Sequence, residues 1–186
     1  MCWSANGSLA TYAISMILAA MSKGALKPPL WYFMTLFSHM QLIEYFLWTY
    51  LKVPSLNRFW SIIGLLVILA EPIASLNLLP SKRWALLYTL GAGFYLLTQK
   101  TNYMTDVGGN GHLRWNWIMP SGSIWMYAWI AALLVPLLIT KEYTFFVWGF
   151  ATLLFSYKFN SKYGTTGSYW CWISVFTWLL VLLKLM

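Results

Sequence analysis

Charge is what this sequence has least of. Only 9% of its 186 residues are charged and only four are acidic, where a soluble domain carries roughly 25% charged residues. So few charges cannot cover a globular surface, and a lipid bilayer is the solvent in which the composition becomes workable. Cysteine is almost as scarce. Cys2 and Cys171 are the only two, too few for a disulfide scaffold and spaced for no zinc motif. The chain also lacks a Ser-His-Asp order, an HExxH, a P-loop and a GxGxxG, and "GGNGH" has neither the strand nor the helix a nucleotide fingerprint requires. No cofactor and no metal is therefore expected. A basic n-region is missing too, since the first charge is Lys23. The opening "MCWSANGSLA" reads as a retained N-terminus rather than a standard signal peptide.

What is abundant is apolar and aromatic. Hydrophobic residues make up 60% of the chain, and 13 tryptophans help bring the aromatics to 19%. Mean hydropathy is +0.64. Trp and Tyr favour the membrane–water interface, where one edge of the ring is apolar and the other wet. The formal net charge of +8 comes from basic residues scattered singly between apolar runs. That scatter points to loop charges facing lipid headgroups and away from nucleic acid.

A spanning helix needs about 20 mainly apolar residues. Seven segments approach that, over about 9–21, 30–51, 59–79, 84–97, 123–140, 143–157 and 169–185. The expected fold class is all-α, a polytopic membrane protein built as one seven-helix bundle. Most links are short, so neighbouring helices should pack antiparallel. The exception is the link over 98–122, where Gly108, Gly109 and Gly111 permit tight backbone turns. Its Trp115, Trp117 and Met119 argue that it lies on the interface or folds over the bundle. Lys and Arg divide six and six between the two membrane faces, so the positive-inside rule assigns no orientation. With seven spans, Cys2, His112 and Cys171 share one face.

Ionisable groups inside a membrane cost roughly 2.5–3.5 kcal/mol each and need a reason. In "FSHMQLIEYFLW", Ser38, Gln41, Glu44 and Trp48 follow i, i+3, i+6 and i+10, one polar face that lipid cannot satisfy. His39 is rotated off that face. Further on, Glu71 precedes Pro72, which removes a backbone donor and crowds the carbonyl of Ile68, favouring a kink. A carboxyl beside a kink can bind a cation or a proton, or serve as a hydrogen-bonded core acid. Asp106 and His112 are spaced like a base and its orienter or two metal ligands, a weak signal in a Gly-rich link. Arg114 can pair with a carboxylate or a lipid phosphate. The cysteines leave three readings: a disulfide, two buried small hydrophobes, or a Cys2 that becomes N-terminal when Met1 is removed.

Taken in order, these stretches resemble a family of small multipass membrane proteins, mainly bacterial and of uncharacterised function, that open with "MCFSA". Here the opening is "MCWSA", with Cys2 and Ser4. A Q-x-x-E-x-x-x-W helix is matched by Gln41, Glu44 and Trp48. An "EP" is matched by Glu71-Pro72, and a late "WCFF" by Trp170-Cys171. The family's "HHIxY" reads "GHLRW" here, so Gly111 stands where the first histidine would and Trp115 where the tyrosine would. The resemblance implies a shared fold and N-terminal arrangement, and no reaction. It gathers Cys2, Ser4, Glu44, Trp48, His112 and Cys171 at one face, as a pocket reaching toward the midplane.

Three functions compete. The first is a polar intramembrane pocket, with Ser38, Gln41, Glu44, Glu71 and Arg114 among its residues, that handles a small ligand, proton or cation as transporter, channel or receptor. The second is a membrane enzyme on a lipid or small molecule, with Cys2 or His112 reactive and Glu44 the orienter. The third is a structural subunit or scaffold of a cellular or viral membrane, in which the polar face is helix–helix glue. The expected partners are membrane lipid and a small-molecule or ion ligand, with no nucleic acid.

Overall fold

A computed structural model describes residues 4–98, 102–120 and 122–183. Cys2 lies outside them, as do positions 99–101 and 121 of the long link and the last residues of the seventh predicted segment. The described chain is mostly helical: α1 Ala5–Met21, α2 Pro28–Thr49, α3 Pro54–Leu76, α4 Arg83–Thr98, α5 Ile124–Ile139, α6 Tyr143–Asn160, α7 Thr166–Ser174 and α8 Thr177–Leu182. The last two are one rod with a short irregularity at Val175 and Phe176.

The helix starts follow from local chemistry. Ser4 caps α1 by accepting from the Gly7 N–H, and Ser123 caps α5 by accepting from Met126 N–H. Pro28 and Pro54 open α2 and α3, where the missing N–H costs nothing and φ is already helical. The turn from α5 to α6 is tight. Lys141 adopts φ 64° there, its N–H bonds Leu138 O, and Glu142 N–H bonds Leu137 O at 2.8 Å. This is a Schellman motif with a lysine at the position glycine usually fills. Glu142 also pairs with Lys27 at 2.7 Å, tying this turn to the start of α2.

α2, α3, α5, α6 and α7 pack in a closed ring, each against the next, with α7 returning to α2. α1 lies outside against α2 and α8, and α4 packs outside on α3. The ring's centre is aromatic: Trp170 meets Phe37 and Trp129 edge-on at 5.5 and 5.7 Å. Two prolines lie inside helices that pack together, Pro72 in α3 and Pro136 in α5, and both helices run on through them. The Ile68 carbonyl that Pro72 leaves without its helical donor accepts the Trp129 indole N–H at 2.8 Å. Near Pro136, Ser75 Oγ donates to Leu133 O at 2.7 Å.

The described part of the long link holds a hairpin that the sequence reading does not contain. β1 Thr105–Val107 and β2 Leu113–Trp115 pair antiparallel, with Asp106 opposite Arg114. The hairpin folds over one end of the ring. Trp115 and Trp117 are buried and stacked 5.2 Å apart. Gly64 of α3 and Gly167 of α7 make room for them; a Cβ on either would come within 3 Å of a tryptophan ring.

Among the described residues, length and composition single out one helix, Pro54–Leu76, as able to cross a membrane. Ala5–Met21, Ile124–Ile139 and the Thr166–Leu182 rod are apolar but shorter, and α2 is diluted by Ser38, His39, Gln41 and Glu44. The all-α class therefore stands, with one small hairpin added, and seven spans do not follow from length and composition.

Candidate functional site

α2 turns its polar stripe into the ring. Ser38, Gln41 and Glu44 are all buried. Ser38 Oγ donates to Met34 O and accepts the Trp178 indole N–H at 2.9 Å, joining α2 to α8. Gln41 Nε2 donates to Glu44 Oε2 across a long 3.4 Å. Trp48 is half-buried at the end of the stripe, and its indole nitrogen has no hydrogen-bond partner among the described residues. His39, off the stripe, bonds the Thr35 carbonyl through Nδ1 and meets Tyr12 edge-on.

Glu71 approaches from α3 and is fully buried. Neither of its carboxyl oxygens has a hydrogen-bond partner among the described residues. A buried carboxyl left this way is costly, which makes Glu71 a candidate site residue. Cys171 of α7, a free buried thiol, lies within electrostatic reach of both Glu44 and Glu71. Tyr88 of α4 lies within reach of Glu71. Cys171 is thus the group that both acids influence, with Gln41 bonded to Glu44 and Tyr88 influenced by Glu71.

The other sequence candidates sit elsewhere. Ser4 is the exposed cap of α1. Arg114 holds Asp106 with two bonds of 2.8 and 2.6 Å across the exposed face of the hairpin. That grip lowers the Asp106 carboxyl below its ordinary value and raises the guanidinium. His112 is buried against Tyr169 with ring centroids 5.2 Å apart, and burial lowers its imidazole from the ordinary histidine value. Among the described residues no three His, Cys, Asp or Glu side chains gather to hold a metal ion.

Two features escape the sequence reading. One is the anchor of the hairpin. The Asn57 side chain exchanges two bonds with the Thr105 backbone, at 2.8 and 2.9 Å, and Thr105 Oγ1 takes Trp117 Nε1 and meets Ser61 Oγ. Asn57 and Ser61, one turn apart on an apolar helix, are the signal that could have shown it. The other is a cavity of about 590 Å³ between α3, α4 and α5. Small residues on the facing helices, among them Gly91, Ala92, Ala128 and Ala132, leave the space open. Its lining is apolar except for Tyr88 and Tyr95, whose spacing of seven puts them on one face of α4.

Set against known proteins, the chain matches no family model, no curated protein and no solved structure.

Proposed function

We propose that this is an integral membrane protein, a seven-helix bundle whose acidic centre of Gln41, Glu44, Glu71 and Cys171 binds or moves a small ligand, proton or cation. The observation that carries the reading is an inside-out distribution of side chains. Both carboxyls, Gln41 and Asn57 are fully buried, while Leu86, Leu87, Leu90, Phe94 and Leu97 of α4 and Val147, Leu154 and Phe155 of α6 are exposed. Such a surface suits hydrocarbon and is a liability in water. The cations agree. Among the described residues every Lys and Arg lies in a link, in the hairpin or near a helix end, where it can reach headgroups. Helices of 16 to 18 residues extend about 24–27 Å, a little under the ~30 Å hydrocarbon core, and short spans are accommodated by local thinning or snorkelling.

Membership of the "MCFSA"-type family is part of the same proposal. Its support is that residues matched to separate family motifs influence one another: Gln41 bonds Glu44 on α2, and both Glu44 and Glu71 of α3 lie within electrostatic reach of Cys171 on α7. The membrane claim is tested by alkaline carbonate extraction, which an embedded bundle resists. The site claim is tested by Glu44→Gln and Glu71→Gln in proteoliposomes, reading proton and cation flux and ligand-linked thermal shift. Loss in either variant is the expected outcome; unchanged behaviour in both sinks the acidic centre as the working site.

A further inference from the structure

We propose that the cavity between α3, α4 and α5 seats one acyl chain of an anionic phospholipid from the surrounding bilayer, with its phosphate held by Lys82, Arg83 and Lys141. The inference rests on the membrane reading above and concerns a cavity beside the acidic centre, with Tyr88 lining the cavity and within reach of Glu71. Leu87 and Val135 line the cavity and are themselves exposed, so it opens sideways, toward what would be lipid. A chain can therefore enter from the bilayer without threading through the ring. From Trp84 to Tyr95 the α4 wall runs about 16 Å, matching the ~15 Å depth of one leaflet. The lining gives a chain nothing polar to desolvate until Tyr88 and Tyr95.

Charge fixes the occupant's head. Trp84 and Ile139 line one end of the cavity. Lys82 and Arg83 directly precede Trp84, and Lys141 follows Ile139 by two residues, all three exposed. Glu142, the acid beside them, is bound to Lys27, and none of the three cations has a carboxylate partner among the described residues. Lys82 donates to Asn77 O at 2.8 Å, which keeps its ammonium at this end of the helices. Lys141 is the most telling of the three. It occupies a left-handed turn position with φ 64°, where glycine fits without strain, so the cation is present at a conformational cost. An anionic head at this mouth meets three cations, while a zwitterionic head brings its own.

The test is titration of the purified, delipidated full-length protein in neutral detergent micelles with phosphatidylglycerol or with phosphatidylcholine of the same chains, read by native mass spectrometry. One phosphatidylglycerol is expected to bind in preference to phosphatidylcholine. Lys141→Gly removes a charge and relaxes the turn, so it should fold at least as well and bind phosphatidylglycerol roughly fivefold more weakly. Gly91→Leu puts a side chain into the path of the acyl chain; a Cβ there meets nothing closer than Trp125 at 3.9 Å, so the variant should fold and bind the lipid of either head more weakly. Equal binding of the two lipids, or wild-type affinity in both variants, overturns the proposal. Carbonate extraction reports separately on the membrane reading, and Glu71→Gln reports on the acidic centre. A bundle that resists extraction but binds no phosphatidylglycerol therefore refutes this site alone.

Discussion

At the scale of single residues, the most consequential position is Pro72. It withholds the N–H that would bond Ile68 O, and a buried carbonyl without a donor costs about 1–3 kcal/mol. Trp129, from a helix 61 positions away in sequence, supplies the donor at 2.8 Å. Trp129→Phe keeps a ring against Trp170 and removes that bond together with part of the indole's volume. It should destabilise the bundle by about 1–3 kcal/mol, read from chemical or thermal unfolding in detergent. The assignment is checked by repeating the change on Pro72→Ala, where a backbone N–H again reaches Ile68 O. There the loss should shrink; an equal loss in both backgrounds would mean that Trp129 acts by packing alone. The sequence makes the lost bond at Pro72 legible because proline chemistry is local. It does not show the partner, because one indole among 13 tryptophans carries no mark of the carbonyl it will meet. Glu71 is similar: its place in an apolar run marks it as costly, and only the fold shows which helices surround it.

At the scale of elements, helices and hairpin differ in how they can be read. Long apolar runs, proline starts and serine caps are local signals, so the helices fall close to the seven segments drawn from composition. β1 and β2 are three residues each, too short to show an alternating period. What orders them lies 48 positions back, in the bonds from Asn57 to Thr105, and in glycines that admit Trp115 and Trp117. The hairpin also carries a readable response to pH. Burial lowers the His112 imidazole, so the unfolded chain takes up its proton at a higher pH than the folded hairpin does. The stability His112 contributes is complete above the ordinary histidine value of about 6.5 and is lost as pH falls through it toward the lowered folded value. Asp106, held below its ordinary value by Arg114, stays charged across that interval and does not confuse the reading. Thermal melts at pH 7.5 and 5.5 should therefore show a drop for the wild type. His112→Phe, which keeps an aromatic ring against Tyr169, should flatten it. An equal drop in both proteins would assign the pH response to other groups.

At the scale of the whole molecule, the question is which solvent the outer surface is built for. α4 poses it most sharply. It packs outside the ring with only Ala85 and Tyr95 buried, and Leu90, halfway along, is 63% exposed. Leu90→Arg meets no steric obstacle, and in water it would replace an exposed leucine by a soluble cation at almost no cost. In a bilayer the same side chain sits near mid-depth, where an arginine costs about 2.5–3.5 kcal/mol by insertion scales. The membrane reading expects Leu90→Arg to lower the fraction of protein inserted by microsomes, and Leu90→Ala, which also removes the leucine but adds no charge, to leave it nearly unchanged. Lys82→Arg, just before the same helix, places an arginine at headgroup depth and should insert as the wild type does. If Leu90→Arg inserts as well as Leu90→Ala, α4 does not face lipid. The exposed leucines and phenylalanines would then have to be covered by protein, as the scaffold reading holds.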